Sequence, residues 1–133
     1  MATLSEKART FLNEKRFAVL ATINQSGVPQ QTTMWYLLEG DIILMNTMVG
    51  RLKERNMRRD CRISICVEDG YRYVTISGTV EIIDDPEISQ RDIHRLAVRY
   101  HGEEIAARQV GEHFASEQRA TLRLRCEHIH EYL

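Results

Sequence analysis

No stretch of this sequence stays apolar over the length that a membrane-spanning helix needs. Cysteine is scarce. Cys61, Cys66 and Cys126 form an odd, scattered set with no CxxC pair, which argues against a disulfide framework and for free thiols in a reducing compartment. Neither sign of charge prevails: 18 Lys and Arg face 19 Asp and Glu, a net of −1. The surface as a whole therefore attracts neither nucleic acid nor anionic lipid, and any basic site must be local. The opening residues Met1-Ala2-Thr3-Leu4-Ser5-Glu6 run straight into charged side chains and do not read as a signal peptide, so the expected location is cytoplasmic. Catalytic signatures are missing as well: no nucleophile elbow, Walker loop, dinucleotide-binding glycine fingerprint or HExxH is present. His94, His101 and His113 stand singly and read as surface or packing residues. With no acid–base constellation in view, chemistry would have to come from a bound cofactor.

What is present is the composition of an ordinary globular protein, 133 residues with 43% apolar and 28% charged, enough for one domain spanning 1–133. Thr3 and Glu6 fit a capping box, and Leu4, Ala8, Phe11 and Leu12 share a helical face. Residues 17–24 form a strand with both faces apolar, suited to a barrel interior or a subunit contact. Further strands are predicted over 29–38, 41–45, 61–68, 71–82 and 119–129. The Asp69-Gly70 pair marks a hairpin, and Gly78 marks a bulge or bend. A helix starts near Pro86, carries its apolar stripe on Ile93, Leu96, Ala97 and Tyr100, and breaks at Gly102; another covers 103–116. Six strands joined by hairpins and a crossover fit a small antiparallel barrel with helices packed outside.

The most distinctive stretch follows the third strand. Residues 51–60 carry five cations (Arg51, Lys53, Arg55, Arg58, Arg59) against two anions (Glu54, Asp60). Asn46 and Thr47 read as helix-entry residues, and Gly50 permits close backbone approach. A short helix here would aim free N–H groups and its positive end past the strand, with Arg51 and Lys53 in its first turn. That is a pocket for one phosphate group; the alternative is a solvated basic helix. The second strand is unusual too. Gln30, Gln31, Thr32 and Thr33 place polar groups on both faces, and Met34, Trp35 and Tyr36 follow at once. A polar half and an apolar half suit a flat ligand with a polar edge and an aromatic face, whereas a plain surface strand would leave the Gln/Thr run in solvent. Cys126, His128 and His130 alternate and could align on one strand face, but zinc sites usually draw ligands from more than one element, so no metal is assigned.

Several of these segments, taken in order, resemble a known family. They are Ala21-Thr22-Ile23, Gly27-Val28-Pro29-Gln30, Met34-Trp35-Tyr36, Arg51-x-Lys53-x-x-Asn56-x-Arg58-Arg59-Asp60 and Ser77-Gly78-Thr79-Val80-Glu81-Ile82. The set resembles the split β-barrel flavin and deazaflavin oxidoreductases of the pyridoxamine 5′-phosphate oxidase-like superfamily over residues 10–130, and within it the small subgroup that uses coenzyme F420, a 5-deazaflavin. The resemblance implies a mainly β fold with flanking helices, a six-stranded antiparallel split barrel of Greek-key type. It implies a homodimer with cofactor sites at the interface. Arg51 and Lys53 would hold the phosphate, the strand from Gln30 to Trp35 would lie along the ring system, and a segment from the other subunit matching Tyr71 to Tyr73 would close the site. Candidate cofactor-binding residues are thus Gln30, Thr32, Thr33, Met34, Trp35, Asn46, Thr47, Arg51, Lys53 and Tyr73; no catalytic side chain is assigned. The implied activity is hydride transfer from reduced F420 to a small conjugated or heteroaromatic acceptor. An FMN enzyme is the alternative, because FMN shares the ring, ribityl chain and phosphate. A non-catalytic flavin or haem carrier is another, and a nucleic-acid-binding barrel a third that the net charge disfavours. Cys61 stands where family members commonly have Pro, which changes a turn. No counterpart of the substrate-binding residues of true pyridoxamine 5′-phosphate oxidases follows Arg125, which argues against vitamin B6 oxidation.

Overall fold

The first helix opens at Ser5, two residues later than a Thr3 cap would place it. The Ser5 hydroxyl accepts the Ala8 N–H at 3.0 Å, and α1 (Glu6–Asn13) follows with Ala8, Phe11 and Leu12 buried. The structure, a computed structural model, describes residues 2–133. Among these residues eight strands form one antiparallel sheet: β1 (Ala18–Ile23), β2 (Pro29–Met34), β3 (Leu37–Glu39), β4 (Ile42–Met48), β5 (Arg62–Glu68), β6 (Tyr73–Ile83), β7 (Arg119–Arg125) and β8 (His128–Tyr132). Their order is β2-β1-β5-β6-β7-β4-β3, with β8 paired to β6. The long strand β6 is shared, since residues 73–77 pair with β8 and residues 80–83 with β7. This is the expected mainly β split barrel with helices outside. Leu20, Ile43, Met45, Ile65, Ile76 and Leu122 fill its interior.

The eight strands are the six expected ones with two of them broken. The stretch read as one strand over 29–38 breaks at Trp35 and Tyr36. Tyr100 makes the corner possible: its hydroxyl takes the Tyr36 N–H at 3.1 Å and donates to the Arg16 carbonyl at 2.5 Å, so the backbone polar group freed by the corner keeps a partner. Burial pushes the Tyr36 phenol up to about 12, and it donates to the Leu12 carbonyl at 2.8 Å. The last strand breaks between β7 and β8, where the chain crosses Gly78 and the Glu127 N–H bonds to the Ser77 carbonyl at 3.0 Å. A side chain at residue 78 would overlap the Arg125 carbonyl oxygen, so the bend expected at this glycine is a close backbone crossing.

The third strand runs to Met48, not Met45, and this overturns the helix-entry reading of Asn46 and Thr47. Both lie buried within β4. Helix α2 (Leu52–Arg59) starts later, with Arg51 in the cap position. β1 is buried on one face only; Ala18, Leu20 and Thr22 point inward, and Val19, Ala21 and Ile23 are partly exposed. Asp85 caps α3 (Pro86–His101), accepting the Glu87 and Ile88 N–H groups. Helix α3 covers β4 and β7 and makes a second small core from Ile93, Leu96, Tyr100 and Leu44. Gly102, at φ 84°, is in the left-handed region that suits glycine and separates α3 from α4 (Glu103–Glu112). The helix expected over 103–116 ends at 112, and a single 3-10 turn, Phe114–Ser116, completes the segment.

Candidate functional site

The basic stretch divides into residues that fasten α2 and residues that do not. Glu54 is buried, accepts the Gly50 N–H at 2.7 Å and pairs with Arg58 one turn later. The Asn56 amide donates to Thr22 Oγ1 at 3.1 Å and to Asn24 Oδ1 at 2.9 Å, tying the helix to β1. Arg58 also reaches Asp84 at 2.6 Å, and Arg59 donates to the Ile23 carbonyl. These groups hold the helix in place. Arg51 and Lys53 have no carboxylate partner among the described residues. The Lys53 ammonium donates to Thr32 Oγ1 at 3.2 Å and contacts Met34 Sδ at 3.3 Å. Burial, together with the nearby Arg51 and Arg119 charges, holds its pKa below the ordinary lysine value.

Arg119, which sequence reasoning did not single out, opens β7 opposite Met48 of β4. Its Nε donates to Asn46 Oδ1 at 2.8 Å and its Nη1 to Glu117 Oε1 at 2.6 Å, and its guanidinium lies over the Phe114 ring. Burial lowers its pKa as well. Arg51, Lys53 and Arg119 line one cleft of about 350 Å³. The same cleft is lined by Thr33 and Met34 from the end of β2, by Trp35 at the corner after it, by Asn46, Thr47 and Met48 from β4, by Ile93 and Leu96 from α3, and by Phe114 and Glu117, whose carboxylate is taken up by Arg119. Trp35 stacks on Tyr100 with ring centres 5.3 Å apart and meets Phe114 edge-on. One cavity thus has cations, polar strand positions and an aromatic wall. That combination takes a flat, anion-bearing ligand.

Seven of the ten residues proposed from the sequence line this cleft: Thr33, Met34, Trp35, Asn46, Thr47, Arg51 and Lys53. Thr32 joins it through Lys53. Gln30 lies outside the lining, its Oε1 accepting the Thr22 hydroxyl at 2.8 Å. The polar run on β2 is neither wholly surface nor wholly buried: Gln31 and Thr33 are exposed, and Gln30 and Thr32 are partly covered. Tyr73 is not brought to this cleft within the chain. It stacks on Tyr132 and lies beside His130, its hydroxyl 3.3 Å from His130 Nε2. Cys126, His128 and His130 do not converge, since Cys126 is fully buried and both histidines are exposed. Among the described residues no group of three His, Cys, Asp or Glu is placed to hold a metal ion, and no helix is long and apolar enough to cross a membrane.

Behind the cleft, Asp92 of α3 is fully buried. Burial alone would raise its pKa, but hydrogen bonds from Arg91, Thr121 and Arg95 outweigh that and hold the carboxyl below its usual value. A carboxylate with a depressed folded pKa adds stability above its unfolded pKa, and this stability is lost as pH falls through the folded value. Asp92→Asn should therefore lower stability at pH 7 and flatten its decline below about pH 4. Urea unfolding at several pH values reads this directly, and parallel wild-type and variant curves would contradict it.

A family model described as pyridoxamine 5′-phosphate oxidase matches residues 4–132. The chain belongs to that family. Members are generally oxidoreductases, and flavin-type cofactors are the family's usual ligands. Among solved structures, the conserved hypothetical protein Rv2991 from Mycobacterium tuberculosis is 29% identical with a TM-score of 0.82, covering 98% of this chain and 85% of its own. A protein described as an F420 reductase is 24% identical with a TM-score of 0.77, covering 96% and 98%. HutZ from Vibrio cholerae, described as a heme storage protein, is 17% identical with a TM-score of 0.72, covering 98% and 95%. Proteins described by different roles thus share this fold, and the role of this chain has to be argued from its cleft.

Proposed function

We propose that this chain is one protomer of a homodimeric oxidoreductase that binds coenzyme F420 in this cleft and reduces a small conjugated or heteroaromatic acceptor. The carrying observation is Lys53, a partly buried ammonium that pairs with no carboxylate among the described residues and has two arginines near it. Such a group is poorly solvated and repelled until an anion arrives, which suits a phosphate ligand. Arg51 is the second phosphate residue. Thr33, Met34 and Trp35, with Gln30 and Thr32 behind them, would flank the ring, and Asn46 and Thr47 form the floor. When bound, the deazaflavin supplies the transferable hydride and, having carbon in place of the reactive ring nitrogen, reacts poorly with oxygen. The protein's part is to bind, orient and exclude water, and no side-chain acid is assigned.

The dimer is supported by exposed aromatic and apolar side chains. Phe17 is 59% exposed, Tyr71 91% and Tyr132 64%, and the outer side of β1 is only partly covered. Tyr73 of one subunit would then close the cleft of the other. The test is to strip the protein of ligand, titrate it with F420 and with FMN, and follow its mass by light scattering. F420 should bind more tightly, to the dimer, and reduced F420 should be consumed only once an acceptor is added. FMN binding the tighter by tenfold, about 1.4 kcal/mol, would replace this reading with an FMN enzyme. Binding without turnover for any acceptor would point to a carrier, the role suggested by the heme storage protein of the same fold.

A further inference from the structure

We propose that Arg119 is a third anion-binding residue of the cleft, aimed by a one-way chain of hydrogen bonds that starts at the buried carboxylate of Asp92. The inference rests on reading the cleft as a phosphate site. Asp92 is ionised and accepts only. The Thr121 hydroxyl donates its single proton to Asp92 Oδ2 at 2.8 Å. Thr121 Oγ1 is then left as an acceptor toward β4, where the Asn46 amide nitrogen lies at 3.5 Å. The same nitrogen donates to the Ser89 carbonyl at 2.9 Å. Both neighbours accept, so the Asn46 amide has one allowed orientation, with its Oδ1 turned the other way. That oxygen takes the Arg119 Nε proton at 2.8 Å. Glu117 takes Nη1, and Nη2 makes no hydrogen bond among the described residues. A guanidinium held through Nε and Nη1 beside Lys53 keeps Nη2 to donate to an oxyanion.

The chain is built into the register. Asn46 and Thr121 are cross-strand partners on β4 and β7, and Arg119 sits two residues along β7 on the same face. Each member of it is buried or partly buried, so water does not substitute readily for a lost link. Asn46, drawn from the sequence as a cofactor residue, becomes a positioning residue, since its polar atoms are already spent within the protein.

Thermal unfolding of the whole protein with inorganic phosphate tests this, with chloride at equal ionic strength as the control, because a ligand of the folded state raises Tm by mass action. Wild type should rise with phosphate and not with chloride. Lys53→Met, Arg119→Met and Thr121→Val should each need at least about tenfold more phosphate for the same rise, the loss of one charge-assisted hydrogen bond. Thr121→Ser should restore it, and Arg59→Ala should behave as wild type. Asp92→Asn enters the same chain from its far end, because its amide can reverse the Thr121 hydroxyl, and should also weaken phosphate. It is the measurement used if Thr121→Val does not fold. If Lys53→Met abolishes the effect while Arg119→Met keeps it, the cleft remains a phosphate site and this inference fails. If Arg119→Met weakens phosphate but Thr121→Val and Asp92→Asn do not, the positioning chain is wrong. No phosphate effect in wild type would overturn both the inference and the reading beneath it.

Discussion

Lys53→Met is expected to weaken cofactor binding by ten- to a hundredfold while leaving the ligand-free protein as stable as wild type or more so. A hydrogen bond between an ammonium and a phosphate is worth roughly 1.5–3 kcal/mol, which sets the size of the binding loss. The stability effect has the opposite sign. The folded-state pKa of Lys53 lies below the ordinary lysine value because burial, Arg51 and Arg119 all disfavour the charge. As long as the ammonium stays charged, the folded state carries this penalty and the unfolded chain does not. Methionine keeps the unbranched stem and removes the charge. A residue that destabilises the fold and tightens a ligand is the pattern of a binding site, not of a solvated basic surface. Affinity for a phosphate ligand should also fall as pH rises toward the lowered Lys53 pKa. Arg51→Ala should follow Lys53→Met in binding. Arg59→Ala should change binding little, because Arg59 is spent on the Ile23 carbonyl and Asn56. Titration and thermal unfolding together decide the matter; equal, small binding losses for Arg51, Lys53 and Arg59 would reduce the stretch to a charged face.

Gly78→Ala should damage the fold severely, on the scale of a large truncation in the core. The added methyl would meet the Arg125 carbonyl oxygen and come within 3.3 Å of the Glu127 nitrogen, so backbone would have to move on both sides of the crossing. Overpacking usually costs about 1–3 kcal/mol, and a clash with backbone belongs at the top of that range or beyond. The crossing is also where β6 exchanges β8 for β7 as its partner, so displacement there weakens both ladders. Urea unfolding should show a midpoint far below wild type, or no folded protein. An alanine variant within about 0.5 kcal/mol of wild type, the range of ordinary surface substitutions, would disprove the close crossing.

The amino-acid sequence by itself determined the strands, through Ile63, Ile65 and Val67 alternating along β5 and through the Asp69-Gly70 turn, because these signals reside in neighbouring residues. It also determined the helix start at Pro86, the bend at Gly78 and the pairing of Arg51 with Lys53. Asn46 and Thr47 were misread as helix entry because, to their neighbours, polar residues after an apolar strand look like an exit from it. They stay buried in β4 because Asn46 is satisfied by Ser89, Thr121 and Arg119, each more than forty residues away. The corner at Tyr36 depends in the same way on Tyr100, and the corner near Cys126 on the backbone crossing at Gly78. Arg119 was invisible for a related reason: among 18 basic residues, nothing local distinguishes the one that strand register carries to the cleft. Tertiary structure decided which charges are paired. Burial and long-range hydrogen bonds, which no local pattern encodes, leave Lys53 without a carboxylate partner among the described residues and place two arginines near it.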